Sequence, residues 1–591
     1  MEGLGSESGA PQMFRRTLLP IPFAAALFVL SACGSNNVST PAASAPAASA
    51  PVAAISAQDA LPTATPIKHV VVIFGENRSF DHYFGTYPTA QNPVGEPAFT
   101  AAANTPTTIN NLNQLSLLTA NPNFLNTANN AFFAGSGINP FRLDRSQANT
   151  NGQSHDYRNE QLAYDNGAAD LFPKYTGNNG ASTGTEFGTP GLVMGYFDGN
   201  TVTGLWNYAQ NFAMSDNMYT DTYGPSTPGA LEVVSGQTNG AIPANGAAQS
   251  DNVIADGAGG FTMNGDSDPT GDKCSSTSTT DNAVLSSNNK NIGDLLNAKN
   301  ITWGGFMGGF NLSTTNPNGT TGCARSSYSS ILGASKTDYT PHHNWFQYFA
   351  TTQNLLHTRP TSTALIGFTD PLDATATPVH HQYDVNDFFA AVTSGNFPSV
   401  SYIKAPAVAD AHPGNSDPLD EQAFETNLVN FIEQQPDWKN TAIIITYDDS
   451  DGWYDHAYTP PTTSSFDATA DQLNGAGTCN VAGATQGVGV TGALVNGRCG
   501  PGTRIPLIVI SPYAKVNYID HTQITQASVV KFIEDNWLGS TRLGNGSHDA
   551  TTGSIMSLFN FSNGGSTPPL YLDTNLGTKL SAPPAVSTTT D

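Results

Sequence analysis

The segment IKHVVVIFGENRSFDHYFG, at residues 67–85, joins an apolar run to a short helical pattern through a polar break. The run HVVVIF is short and rich in β-branched residues, which predicts a buried strand that ends at Gly75. RSFDHYF predicts a helix, and Glu76 and Asn77 lie between the two elements. Open α/β sheets place ligands at the carboxyl ends of their strands, so these two side chains are candidate ligands. The alternative is that they only cap the helix.

Strands and helices alternate along the later part of the chain, which predicts an α/β fold with a mostly parallel sheet covered on both faces. Apolar spacing in TGLWNYAQNFAMSDNMY predicts a helix within 203–219 that faces the core. Residues 95–190 and 240–335 show weak periodicity and predict mainly loops. The other predicted strands are 399–403, 442–447 and 505–510, and the other predicted helices are 420–435 and 525–539.

Composition argues against two classes of partner. The chain has 591 residues, a formal net charge of −25 and only 22 lysines and arginines. Nucleic-acid binding needs a basic surface, and docking on anionic lipid needs basic segments. We therefore expect no nucleic-acid partner and no electrostatic membrane binding.

The amino-terminal residues predict export. MFRR at 13–16 begins a basic region, and LLPIPFAAALFVL is an apolar region too short for a comfortable membrane span. LSAC at 30–33 resembles the lipobox of bacterial lipoproteins, in which Cys33 would carry the lipid. The alternative is an ordinary secretory signal cut near Ala32. The expected location is a membrane anchor in the periplasm or at the cell surface, or secretion.

These patterns divide the chain into four parts. We expect one folded domain that is preceded by a tether rich in alanine, proline and serine and followed by a poorly ordered tail. Met13 resembles a natural initiator, which makes residues 1–12 an upstream extension. The parts are a signal region at 1–32, the tether at 33–65, the domain at 66–562 and the tail at 563–591.

The four remaining cysteines form an even set in an exported chain, which predicts disulfides. Three pairings are open, and we favour the sequential one, Cys274–Cys323 with Cys479–Cys499. The second bridge would close a loop worth roughly 3 kcal/mol in the chain-entropy estimate.

A second acidic pair follows another predicted strand. TAIIITYDDSDGWYDH, at 441–456, places Asp448 and Asp449 at the end of the strand, where neighbouring carboxylates repel unless a cation lies between them. With Glu76 and Asn77 they supply four oxygen ligands of the kind that a divalent cation prefers. The alternative is an Asx turn in which one aspartate acts as a cap.

A tight turn presents a candidate nucleophile. In TYGPSTPGALEVVSGQT, at 222–238, glycines and prolines fix the backbone around Ser226 and Thr227. ALEVV predicts a helix, so Ser226 would lie near a helix N-terminus, which favours phosphate. A rigid turn without a catalytic role is the alternative. Four histidines in polar loops are further candidates, since core packing explains them poorly: His155, His342, His343 and His412.

Five blocks, in order, resemble the bacterial phosphoesterase family that includes phospholipases C and the AcpA-type acid phosphatases. The family belongs to the alkaline-phosphatase-like superfamily, so the resemblance implies a three-layer α/β/α sandwich with long loop-rich insertions. It covers nearly all of the predicted domain. The blocks are IKHVVVIFGENRSFDHYFG, GYFDGNTVTGLWNYAQNFAMSDNMYTDTYGPSTPG, SYIKAPAVADAHPGNSDPLDEQ, TAIIITYDDSDGWYDH and RIPLIVISPYAKVNYIDHTQITQASVVKFIEDNW.

The resemblance implies roles for the matching residues. One divalent metal ion of unknown identity would be held by two strand-end pairs and the nucleophile, and histidines would hold the phosphoryl oxygens. His521 matches a family histidine without an assigned role. The implied ligands are Glu76, Asn77, Asp448, Asp449 and Ser226, and the implied phosphoryl-binding histidines are His155, His343 with His342 beside it, and His412.

The resemblance also implies the activity, that of a metal-dependent phosphoesterase with a serine nucleophile. Phospholipases C of the family generally carry threonine at the position of Ser226. Ser226, the block PHHNWFQYF and YDDSDGWYDH are closer to the acid phosphatase branch. We therefore expect an acid phosphatase that hydrolyses phosphate monoesters. The alternative is a phospholipase C that cleaves phospholipid head groups, and a third hypothesis is a non-catalytic surface binding lipoprotein.

Overall fold

The computed structural model describes residues 58–133, 137–178 and 185–590. The predicted signal region, Cys33 and residues 34–57 of the predicted tether lie outside these ranges, so the lipid anchor stays a prediction. Within the described ranges, none of the helices has both the length and the apolar character that a bilayer span requires.

An eight-stranded sheet forms the centre of the described residues. Its spatial order is β4-β3-β5-β1-β6-β7-β2-β8. Only β7 runs antiparallel to its neighbours β6 and β2, so the sheet is mostly parallel, as the sequence predicts. In chain order, the strands are β1 His69–Gly75, β2 Ala213–Ser215, β3 Trp303–Met307, β4 Gln382–Asp384, β5 Val400–Lys404, β6 Thr441–Tyr447, β7 Leu507–Ile510 and β8 Tyr518–Asp520.

Helices cover both faces of this sheet. Tyr402 of β5 donates its hydroxyl to the carbonyl of Val233 in α4, at 3.3 Å. Phe306 of β3 is out of phase with Tyr402 and therefore points to the opposite face, where its ring packs on Phe388 of α6. The result is the three-layer α/β/α sandwich. The helices are α1 Phe80–Phe84, α2 Tyr157–Tyr164, α3 Thr203–Asn211, α4 Ser226–Ser235, α5 Ile292–Ala298, α6 Val385–Thr393, α7 Pro418–Glu433 and α8 Ala527–Trp537.

Small sheets and helical turns fill the connections between these elements. Helical turns lie at Pro122–Leu125 and Phe172–Tyr175. The small strands pair as Phe141–Arg142 with Gly195–Tyr196, Met218–Tyr219 with Ile524–Thr525, Val253–Ala255 with Phe261–Met263, Asn282–Leu285 with Ala241–Pro243 and Asp268–Pro269, Ser326–Ser329 with Ala334–Thr337, and Thr485–Val488 with Thr463–Ser464 and Leu494–Val495.

The long apolar runs are predicted correctly, and the short strands are not. β1, β5, β6 and β7 match predicted strands, and α7 and α8 match predicted helices. The helix predicted within 203–219 ends at Asn211 and gives way to β2, which is too short to show a period of its own. The loop prediction for 240–335 is wrong at β3, because two glycines in WGGFM hide the strand pattern.

Both disulfides form in the sequential pairing that the sequence analysis favours. Cys274 is bonded to Cys323 and Cys479 to Cys499. The second pair is fully buried, whereas Cys274 packs at the edge of the main core. The first bridge joins the connections before and after β3, and the second lies within the connection between β6 and β7.

The tail predicted to be poorly ordered instead packs along α7. Leu572 is fully buried, and its backbone N–H donates to the side chain of Asn430 at 3.1 Å. The backbone N–H of Leu570 donates to both carboxylate oxygens of Glu433, at 3.0 and 3.1 Å. Composition alone does not reveal these side-chain partners on the helix.

Glu433 gives a testable pH dependence of stability. Burial raises the pKa of its carboxyl to about 8, although the Leu570 N–H opposes the shift. The folded state therefore holds a proton that the unfolded state releases near its ordinary pKa of about 4.3. The stabilising contribution is complete below that value and is lost as pH rises towards 8. Glu433→Gln is expected to flatten this decline in urea unfolding midpoints, and equal pH slopes in the two proteins would contradict it.

Candidate active site

Three adjacent parallel strands end at the same edge of the sheet. β1 lies between β5 and β6, and Gly75 at the end of β1 is level with Tyr447 at the end of β6. Glu76 and Asp448 follow these two residues directly, and Lys404 ends β5. The shared strand direction therefore brings acidic and basic side chains from distant parts of the sequence into one place.

Glu76 and Asn77 do not cap α1. That cap is Ser79, whose hydroxyl accepts the N–H of His82 at 3.2 Å. Asn77 adopts a left-handed backbone with φ of 58°, which asparagine tolerates better than most residues. Its backbone N–H donates to Asp448 Oδ1 at 2.8 Å, which links the ends of β1 and β6. Ser79 therefore takes the capping role that was the alternative for these two residues, and their role as ligands stays a prediction.

Ser226 is the first residue of α4, and its hydroxyl faces three ligand candidates. The Oγ atom lies 3.0 Å from Glu76 Oε2, 3.3 Å from Asn77 Oδ1 and 3.3 Å from Asp449 Oδ2. Gly229 permits this approach, because a Cβ atom there would lie 2.1 Å from the carbonyl oxygen of Asp448. The sequence prediction that Ser226 lies at a helix N-terminus is confirmed.

The start of α4 is held by Asp266, which lies in the segment 240–335 that the sequence predicts as mainly loops. Asp266 is half-buried, and its Oδ1 accepts the backbone N–H of Thr227 at 3.0 Å and its hydroxyl at 3.1 Å. Ser226 therefore has no capping duty of its own, and its hydroxyl is left to the acidic group.

The acidic pair also forms the turn that was its alternative interpretation. Asp449 Oδ1 accepts the N–H of Asp451 at 2.6 Å, while Asp449 Oδ2 faces Ser226. Gly452 follows with φ of 70°, and a Cβ atom there would lie 2.2 Å from the carbonyl of Ser154. One oxygen of Asp449 shapes the loop, and the other remains for a ligand.

The donor set fits a divalent cation. The side-chain amide of Asn77 lies 2.6 to 3.3 Å from oxygens of Glu76, Asp448 and Ser226. With a cation bound, the amide oxygen would face this group as a ligand, and without one the amide nitrogen can donate to the same oxygens. Oxygen ligands at about 2.1 Å from a Mg²⁺-type ion lie about 3.0 Å apart, which agrees with this spacing.

The raised pKa values of Asp448 and Asp449 also indicate a cation site. Burial, followed by the charges of Glu76 and Asp449, raises the pKa of Asp448 well above its ordinary value. Burial also raises the pKa of Asp449 to about 7, with His155 opposing the shift. Carboxylates packed this closely need a neighbouring cation, and a hard divalent ion suits four oxygen-bearing side chains.

Lys404 is a site residue that sequence reasoning missed. It is fully buried, and its Nζ atom pairs with Glu76 Oε1 and lies 3.9 Å from Asp448 Oδ2. The charges of Glu76 and Asp448 raise its pKa against the effect of burial. A lysine that ends an apolar strand is a common surface pattern, so the sequence gives no signal of this role.

Two of the predicted histidines contact the acidic group directly. His343 Nδ1 lies 2.9 Å from Glu76 Oε1, and His155 Nε2 lies 3.4 Å from the amide nitrogen of Asn77. Burial alone would lower the pKa of both rings. Glu76 instead raises the pKa of His343 to about 9, and the carboxylates near His155, first Asp449, raise its pKa to about 10.

The remaining histidines differ in their relation to this group. His412 stacks on His343 with ring centroids 5.9 Å apart, and its ring lies within ligand distance of Glu76 and His343. His342 pairs through Nδ1 with Asp268 at 3.2 Å, and only its backbone carbonyl meets Thr227. His521 follows β8 and pairs with Asp216 at 2.9 Å, with its side chain 54% exposed. The structure therefore brings His412 into the group, while the ring of His342 lies at its margin and His521 pairs elsewhere.

The sequence model of the phosphoesterase family matches residues 67–538, which include every residue of this group. The chain belongs to the phosphoesterase family. Curated relatives include a non-hemolytic phospholipase C of Pseudomonas aeruginosa, 30% identical over 30% of this chain and 25% of that protein. Phospholipase C B of Mycobacterium tuberculosis is 28% identical over 30% of this chain and 32% of that protein. The matches thus span about a quarter to a third of the relatives' length.

Solved structures similar to this one include a protein in the alkaline phosphatase superfamily from Vibrio parahaemolyticus. It is 12% identical, with a TM-score of 0.24, and the match covers 58% of this chain and 62% of that one. A phosphonate monoester hydrolase from Silicibacter pomeroyi is 10% identical with a TM-score of 0.26, over 60% and 71% of the chains. Likeness at this level carries no argument about function.

Proposed function

We propose that this protein is a metal-dependent hydrolase of phosphoric esters with Ser226 as its nucleophile. The observation that carries the proposal is the convergence of Glu76, Asn77 and Asp449 oxygens within 3.3 Å of Ser226 Oγ. An ordinary buried serine would be satisfied by one acceptor, and three acceptors around one hydroxyl suit a shared cation. Membership of the phosphoesterase family supports the same chemistry.

A divalent ion held by Glu76, Asn77, Asp448 and Asp449 would lower the pKa of the Ser226 hydroxyl and offset charge on the phosphoryl oxygens. Ser226 Oγ forms the new bond to phosphorus, and its proton passes to a facing carboxylate. Glu76 Oε2, at 3.0 Å, is the nearest acceptor. The bond from phosphorus to the alcohol oxygen breaks at the same centre.

The histidines serve the departing alcohol and the phosphoryl group. Ser226 is 1% exposed, whereas His155 and His412 are half-buried and mark the open side of the group. We assign His412 as the proton donor to the alcohol oxygen, because His343 is engaged with Glu76. Water then attacks the phosphoserine and releases phosphate, which restores the Ser226 hydroxyl.

We further propose phosphate monoesters as the preferred substrates. A monoester presents two negative charges, while a diester presents one, and three imidazoles beside a cation suit the larger charge. The second candidate is phospholipase C activity, which the names of the curated relatives favour. Export on a lipid anchor at Cys33 also remains a proposal.

The two candidates are separated by their products. Purified protein is expected to release phosphate from an aryl phosphate faster than it releases phosphocholine from phosphatidylcholine. The reverse order would replace the first candidate with the second. If neither product forms with any divalent metal, the non-catalytic binding hypothesis is the one that remains.

A further inference from the structure

A second group of potential metal ligands lies away from the strand ends. Asp221 precedes α4, Glu232 lies within α4, and His548 lies in a turn after α8. His548 Nδ1 is 3.3 Å from Asp221 Oδ1 and 3.7 Å from Glu232 Oε2. The three ligand atoms all lie within 4.8 Å of one another.

Glu232 is a buried carboxylate that needs a partner. It is fully buried, and among the described residues neither of its carboxylate oxygens accepts a hydrogen bond. Arg498 Nη2 is 3.9 Å from Glu232 Oε1, but that guanidinium donates to the carbonyls of Val488, Gly546 and Gly236. An isolated buried charge is costly, so this carboxylate either holds a proton or faces a cation.

The other two members each have a ligand atom that faces the group. Asp221 uses Oδ2 to accept the N–H of Ala527 at 2.8 Å, which leaves Oδ1 facing His548. His548 turns Nδ1 towards both carboxylates, at 3.3 Å from Asp221 Oδ1 and 3.7 Å from Glu232 Oε2.

We propose that Asp221, Glu232 and His548 form a second divalent-cation site, suited to a zinc-type ion. Imidazole nitrogens and carboxylate oxygens both bind such an ion, with bonds of about 2.0–2.2 Å. Tetrahedral ligands at that distance lie about 3.3 Å apart, close to the 3.3 and 3.7 Å observed here. Asp221 and His548 also line a cavity of about 430 Å³, so a fourth position is open to water.

Coordination through Nδ1 places the ring proton of His548 on Nε2. Thr463 Oγ1 lies 3.5 Å from Nε2 and can accept that proton. Arg498 Nη2, 3.1 Å from the same atom, then gives up this contact and keeps its three carbonyl partners. The competing arrangement is a metal-free pair in which His548 donates to Asp221.

The ion would stabilise the segment that carries Ser226. Its ligands come from both sides of that residue, and Asp221 is tied to the start of α8. Gln526 extends this link, because its amide nitrogen donates to the carbonyl of Asp448 at 2.6 Å. We therefore expect a bound ion to raise the melting temperature without being required for the proposed hydrolysis.

Zinc content tests the site directly. Chelator-treated full-length protein is dialysed against zinc chloride, and bound zinc per chain is measured by mass spectrometry. His548→Ala and Glu232→Gln are expected to bind one ion fewer than wild type and to lose the zinc-dependent rise in melting temperature. His521→Ala is the matched control, because that histidine pairs with Asp216 outside the cluster and should bind zinc as wild type does.

Two further comparisons separate loss of the second ion from damage to the proposed catalytic site and from misfolding. Asp449→Asn, which disturbs the proposed catalytic site, is expected to retain the ion that His548→Ala loses, whether or not the protein hydrolyses phosphoric esters. Glu232→Gln should fold at least as stably as wild type without zinc, since it removes an unpaired buried charge. Equal zinc content in wild type and His548→Ala would overturn the proposal and leave the metal-free pair.

Discussion

Replacement of Ser226 with alanine is expected to lower kcat for phosphoric-ester hydrolysis by roughly 10³- to 10⁶-fold, the range seen when a nucleophile is removed. The structure gives the reason. Ser226 Oγ is the atom around which Glu76, Asn77 and Asp449 converge, and the backbone of α4 aims it at them. Alanine leaves the acidic group in place but removes the bond-forming oxygen, so binding should suffer far less than turnover.

The variant should fold normally, because the serine hydroxyl has no structural duty in the helix. Asp266 binds the start of α4 through Thr227, and Ser226 itself caps nothing. Ser235→Ala is the matched control at the other end of the same helix, where the hydroxyl donates to the carbonyl of Leu231 at 2.8 Å. That variant should keep wild-type kcat.

Intermediate trapping adds a second measurement. Wild-type protein quenched during turnover is expected to carry phosphate on the peptide that contains Ser226, and Ser226→Ala should carry none. Turnover by Ser226→Ala at the wild-type rate would exclude this residue as the nucleophile and would leave Thr227 to be tested next.

Local sequence patterns were enough to predict the central strands β1 and β6 and the site residues that follow them. β1 and β6 are continuous apolar runs, so their ends, and therefore Glu76 and Asp448, can be located from the sequence. β3 escapes prediction because two of its five residues are glycine, and β2 because three residues show no period. Tertiary pairing supplies what these strands lack in local preference.

Site residues that depend on contacts between distant segments could not be found in this way. Lys404 meets Glu76 only because β5 and β1 are neighbours in the sheet, an order that the sequence does not display. Asp410 likewise comes within 3.5 Å of His343 through the loop after β5. Asp266 lies in a segment predicted as a loop, and its hydrogen bonds to Thr227 are a property of the assembled fold.

Lys404→Met is expected to reduce the free energy of unfolding by about 3–5 kcal/mol in the presence of a chelator, the cost of breaking a buried ion pair. Lys404 is fully buried between Glu76 and Asp448, and Phe74 packs over its ammonium group. Methionine fills similar space without the charge. Glu76 and Asp448 would then lack their fixed positive partner, and the pKa of Glu76, which His343 and Lys404 lower, would rise.

A divalent metal should reduce this loss, because the ion supplies positive charge to the same carboxylates. We therefore expect the stabilisation by metal, measured as the difference in urea unfolding with metal and with chelator, to be larger in Lys404→Met than in wild type. Lys531→Met is the control, since that lysine lies half-buried on α8 and donates to the backbone carbonyl of Asp549 at 3.5 Å. Its effect should stay within about 0.5 kcal/mol.

The comparison distinguishes charge from packing as the role of Lys404. If packing is what matters, Lys404→Met loses the same free energy with and without metal, and the electrostatic account fails. If charge is what matters, the loss depends on the metal, because Lys404 and the ion then compensate the same carboxylates. In that case the buried lysine accounts for how Glu76 and Asp448 remain together in the folded protein before any metal binds, with His343 as the second positive group at Glu76.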